Sequence, residues 1–393
     1  MIIFNGSSTA VSMIPIPYGV LNSLRKETSE QQCMNCKSTL SAMNTKRGAN
    51  LINGQRRRVD WIDVAKGITM ILVFYGHLPG SGDNPWFPDL MASREIVYYF
   101  HMPLFFVLSG LTMHLDGDFR TFVWKRFRRL IVPYYVFSLY ALGKIVLKIL
   151  SPSTFAGFHS KEMSGPWQEV GNIFLGNSFG LWFFWALFWG DIVMFLLHKL
   201  PSRNWTILAS IVGLTLWCIV STHPIALPFQ LAATAEAVGF SAIGYLTSTR
   251  LMGELNRVSG RMPAAASAVA FTLLVMIKML LPGTTIIQFL LTVLLAITGS
   301  FMVMFISVLL PAFSWLTYIG RNTIVFYGLN GLSLAMAKAL FFHIVPTKLV
   351  TSAIWPQLAS GAVVIVIACI ICWIASQIIN KWCPWAIGMK RLN

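Results

Sequence analysis

The chain has 393 residues, 56% of them hydrophobic and only 11% charged, with a mean hydropathy of +0.66. Soluble domains carry roughly 25% charged residues, so too few remain here to coat a water-facing surface. An ordinary soluble enzyme and a disordered chain are excluded. The net charge of +16, from 30 Lys and Arg against 14 Asp and Glu, follows the bias of basic residues towards cytoplasmic loops of membrane proteins. It is not read as a nucleic-acid footprint.

Residues 1–57 are polar and basic and read as a cytoplasmic tail. The apolar patch from Met13 to Val20 is broken by Pro15 and Pro17, with no basic segment before it, so it makes a poor signal peptide. Cys33 and Cys36 form a lone C-x-x-C with no second ligand pair, so neither zinc nor a redox pair is expected. After Arg56-Arg57-Arg58 come ten runs near the roughly 20 apolar residues that span a bilayer: 61–79, 96–114, 130–150, 181–199, 205–222, 228–247, 264–281, 285–308, 322–343 and 356–379. The expected fold is all-α, a bundle of about ten transmembrane helices around a polar crevice. It forms one domain over residues 58–380, followed by a short basic tail at 381–393. Lys and Arg crowd alternate loops, which puts both termini in the cytoplasm and the protein in the inner (plasma) membrane.

Ionisable residues inside a bilayer are costly and need a reason. The first run carries Asp60, Asp63, Lys66 and His77. Lys66 and His77 lie eleven residues apart, which in a helix means a turn of about 20° and about 16 Å of rise. Both therefore face one groove at different depths. Asp63 is spaced for an ion pair with Lys66. His77 is a suitable general base towards a hydroxyl, although packing near the membrane surface accounts for it equally well.

The second run holds His101, Pro103 and Ser109-Gly110. Pro103 is expected to kink that helix, and His101 is a second candidate for the groove. The following loop, Arg120 to Arg129, has five basic residues and suits either anionic lipid or a phosphate clamp. Asp191 and Glu236 fall deep inside apolar runs, as candidates to line a cavity or to pair with Lys66, Lys144 or His77. Trp182 and Trp185 sit where a tryptophan serves as interfacial anchor or as a platform for a sugar ring.

Four stretches, in order, carry a resemblance. They are Arg58–His77, the Phe100-His101-Met102-Pro103-Leu104 run to Ser109-Gly110, Arg126-x-x-Arg129 with Pro133-Tyr134, and Gly320-Arg321-Asn322, with Gly180-Leu181-Trp182 between. Together they resemble the integral-membrane type-3 acyltransferases, most closely the fucose 4-O-acetylase-like branch. The resemblance implies acyl transfer, usually acetyl from cytoplasmic acetyl-CoA, to a hydroxyl of an envelope sugar. It makes His77 the essential histidine and Arg126 and Arg129 the acyl-CoA motif. Asp63 is then the acidic residue before the basic one. Lys66 stands where the larger branch has arginine, and Asn330 stands where members often have histidine. The implied partners are the acyl-CoA co-substrate, a glycan acceptor and the bilayer, with no metal and no bound cofactor. A glycan or solute transporter is the competing class, although no internal repeat of the kind common in carriers is visible.

Overall fold

The computed structural model describes residues 59–389 apart from 81–85, 151–165, 179, 224–226, 255–260 and 282, with the backbone alone at 144, 147–150, 166 and 249–254. The tail at 1–57 with its Cys33–Cys36 pair, most of the long loop 151–180 and residues 390–393 lie outside the described residues.

Among the described residues every regular element is helical. In chain order they are α1 (Asp60–His77), α2 (Met91–Tyr98), α3 (His101–Leu111), α4 (Phe119–Arg126), a π turn (Phe127–Ile131), α5 (Val132–Leu150), α6 (Pro166–Phe174), α7 (Trp182–His198), α8 (Asn204–Thr222) and α9 (Leu231–Glu254). They continue with α10 (Arg261–Leu280), α11 (Thr285–Leu309), α12 (Ser314–Arg321), α13 (Thr323–Ile344), α14 (Thr347–Val350) and α15 (Ile354–Trp382). Five of them, α8, α10, α11, α13 and α15, are long and apolar enough to cross a bilayer, and α7 is a shorter apolar helix. The protein is a multi-pass membrane protein. Most expected runs coincide with one helix because apolar length and breaker residues are local properties.

Three local features differ from expectation. The second run is not one kinked helix but two, parted at Tyr99–Phe100. A proline ring clashes with the carbonyl four residues before it, which for Pro103 is that of Tyr99. The chain therefore breaks there, and Pro103 sits in the first turn of α3, where a missing N–H costs nothing. The basic loop before the third run is helical instead: α4 starts at Asp118, whose carboxylate accepts from Thr121 N at 3.0 Å, and runs through the π turn into α5. Pro133 cannot donate to the carbonyl of Arg129, and the widening of the helix just before it spares that bond. Finally, residues 381–389 do not trail away as a tail. Pro384, Ala386 and Ile387 are buried in a 3₁₀ turn, and Arg128 Nη2 donates to Gly388 O at 3.4 Å.

The core runs through the whole bundle, with Phe74, Phe106, Tyr134, Phe184 and Phe326 fully buried. In lipid, helices associate through close packing of small residues. Helix α9 contacts α3, α7 and α8, and its approach to α3 needs Gly110, where a Cβ would collide with the Ser241 carbonyl.

Candidate active site

Helix α1 is locked to α12 by backbone contact. A Cβ on Gly320 would collide with the Asp63 carbonyl. This contact delivers the next residue, Arg321, to the α1 acids: Nε lies 2.8 Å from Asp63 Oδ2, and Nη2 3.7 Å from Asp60 Oδ1. The charge of Asp63 is thus taken up by Arg321, 258 residues away, rather than by the expected neighbour Lys66. Sequence reasoning used Gly320-Arg321 only as a marker of resemblance. A glycine beside an arginine, as a contact point and its reach, is the signal it held.

A cavity of about 1860 Å³ opens beside this clamp. Its wall takes Lys66 from α1, Phe105 and Ser109 from α3, Arg126 and Arg129 from α4 and the π turn, Phe183 and Leu187 from α7, and Thr323 and Tyr327 from α13. Lys66, Arg126 and Arg129 are therefore brought to one space, with Arg120, Lys125 and Arg128 also on its lining. Arg126 is held from behind. Its Nε lies 3.1 Å from Oδ2 of the fully buried Asp191, and its guanidinium carbon sits 5.1 Å over the Phe122 ring. Asp191 thus pairs with Arg126; the Lys144 side chain, another expected partner, lies outside the described residues. The Tyr327 hydroxyl, a group the sequence did not single out, accepts from Phe183 N at 3.4 Å.

His77 is not on the cavity wall. It ends α1 on the opposite side of the bundle with an exposed side chain. Its ring meets Tyr98 edge-on with centroids 6.2 Å apart. Tyr98 in turn lies 4.9 Å from the ring of His101 and donates its hydroxyl to Gly76 O at 2.9 Å. His101 is buried, with Nδ1 3.0 Å from Val97 O, so the two histidines are joined through Tyr98 and do not share the large cavity. Lys338 Nζ donates to His77 O at 3.4 Å, and Arg94 stacks on Tyr98 at 4.8 Å.

Trp182 is half-buried, 6.3 Å from the Phe106 ring. Trp185 is buried between Tyr134, Phe188 and Phe229, which leaves it no face for a sugar. Glu236 is buried in α9 and off the cavity wall, and makes no ion pair among the described residues. Among those residues no group of three His, Cys, Asp or Glu side chains gathers where a metal would bind.

The arrangement offers a roomy basic chamber at one end of α1 and an accessible imidazole at the other. No curated protein and no solved structure matches the chain. A family described as an acyltransferase domain matches residues 59–376, from the start of α1 into α15. That span covers most of the 393 residues, and with it the Asp63–Arg321 clamp, the basic chamber wall and His77, so the chain belongs to the type-3 acyltransferase family.

Proposed function

We propose that this membrane acyltransferase moves an acetyl group from cytoplasmic acetyl-CoA to a hydroxyl of a cell-envelope sugar, as its fucose 4-O-acetylase-like motifs suggest. The observation that carries the reading is the basic chamber beside α1. Arginine forks match phosphate oxygens, and the chamber that holds Lys66, Arg126 and Arg129 suits the phosphates of CoA. In this reading the acyl arm has to span the roughly 16 Å of α1 from Lys66 to His77. His77 removes the proton from the acceptor hydroxyl, whose oxygen attacks the thioester carbonyl. The C–S bond breaks, and the CoA sulfur leaves and takes up the proton. Such general-base assistance contributes roughly a hundred- to ten-thousand-fold. Asp63 and Arg321 hold α1 in register for both ends.

Purified protein in detergent tests this reading without a membrane gradient. Acetyl-CoA consumption in the presence of acceptor is expected, and His77→Ala should abolish it while leaving acetyl-CoA binding intact. Replacing Arg126 and Arg129 together should weaken acetyl-CoA binding. A folded His77→Ala protein with full turnover would remove the proposed base. Transport of a glycan without thioester consumption would favour the carrier alternative.

A further inference from the structure

Two cations are gathered at the end of α1, Arg94 over the Tyr98 ring and Lys338 at the His77 carbonyl. Lys338 is 9% exposed, and its one hydrogen bond among the described residues is the long contact to the His77 carbonyl. Arg94 donates from Nη1 to Gly80 O at 3.4 Å and lies 3.7 Å from Met91 Sδ, while its buried Nε has no hydrogen-bond partner. Neither cation lies within ion-pair distance of a carboxylate among the described residues. Asp83 lies outside the described residues, and the two described acids of this stretch do not serve them. Asp89 accepts from Gln357 Nε2 at 2.8 Å, and Glu95 is exposed and makes no ion pair. Trp86, an exposed residue whose ring lies tilted 4.7 Å from that of Phe342, donates its backbone N–H to Pro79 O just beyond His77.

Taking a cation out of water without a partner is strongly unfavourable, and a buried unpaired donor needs an explanation. A ligand anion supplies both. Resting on the acceptor reading above, we infer that the acceptor is an anionic saccharide, its carboxylate or phosphate held between Arg94 and Lys338 with the reacting hydroxyl turned to His77. An arginine fork takes a carboxylate or phosphate edge-on with two hydrogen bonds. The Trp86 ring flanks the sugar face.

Saturation-transfer NMR on the purified protein in an uncharged detergent tests the inference with glucuronic acid, glucose 1-phosphate and glucose as probes. Binding of one or both anionic probes but not of glucose is expected, and which of them binds separates carboxylate from phosphate. Arg94→Gln and Lys338→Gln should each weaken that binding about tenfold to a hundredfold, while Lys338→Arg retains it. Equal binding of all three probes, or anion binding indifferent to both glutamine variants, overturns the inference. Acetyl transfer, assayed separately, isolates the earlier reading. Anion binding without any thioester consumption would sink the transferase mechanism and spare the site. Transfer to a neutral glycan that ignores Arg94 and Lys338 would do the reverse.

Discussion

The Arg126–Asp191 pair yields the sharpest prediction because its two members are so differently exposed. The Asp191 side chain is fully buried, whereas that of Arg126 is 25% exposed on the chamber wall. Arg126→Gln therefore strands a carboxylate with no water to fall back on, and breaking a buried pair in this way costs about 3–5 kcal/mol. Asp191→Asn keeps the shape and leaves a guanidinium that can rehydrate through the chamber. Its stability cost should be nearer the roughly 1.5–3 kcal/mol of a hydrogen bond to a charged group. The same loss frees the orientation of Arg126, so acetyl-CoA affinity should fall by about tenfold to a hundredfold. The double variant Asp191→Asn with Arg126→Gln should recover most of the stability lost by Arg126→Gln and none of the affinity. Thermal unfolding in detergent and acetyl-CoA titration calorimetry on all four proteins complete a double-mutant cycle. Additive stability changes, or an Asp191→Asn protein that binds acetyl-CoA as tightly as the parent, would refute this account of the pair.

Further outcomes follow from the clamp and the chamber. Gly320→Ala should destabilise the protein by about 1–3 kcal/mol, since its methyl would meet the Asp63 carbonyl; thermal unfolding measures it. Arg321→Gln should destabilise the protein by about 1–3 kcal/mol, because the Asp63 side chain it leaves without that partner is only 13% exposed. Acetyl transfer should also drop as α1 loses its register; unchanged transfer would count against the clamp. The several basic residues that line the chamber make acetyl-CoA binding salt-sensitive, since screening sets in within about 10 Å at 0.1 M salt. Titrations between about 0.05 and 0.5 M salt should show a steady loss of affinity.

Much of the helical layout was legible in the residues. Runs such as 205–222 and 285–308 became α8 and α11 with ends moved by no more than a residue, because apolar length needs no knowledge of neighbours. The misplacements also had local causes that were visible but misread. Pro103 stopped a helix where a kink was expected, and the arginine run before Pro133 was helical rather than a loop.

The site was legible by kind and not by partner. Charge inside an apolar run flags Asp63, Lys66, His77, Asp191 and Glu236 without reference to any fold, since the bilayer itself penalises each one. Helical spacing could offer Asp63 a neighbour only three residues on. Its actual partner, Arg321, lies 258 residues away, and Asp191 meets an arginine of a different helix. Lys338 and Arg94, from α13 and α2, meet the end of α1 only through tertiary packing. Composition and periodicity thus determined that this chain enters a membrane as helices and which charges it carries there. Which charges meet, and that the basic chamber and the imidazole occupy opposite ends of one helix, was decided by tertiary packing, because side chains far apart in sequence become neighbours only when backbones come into contact.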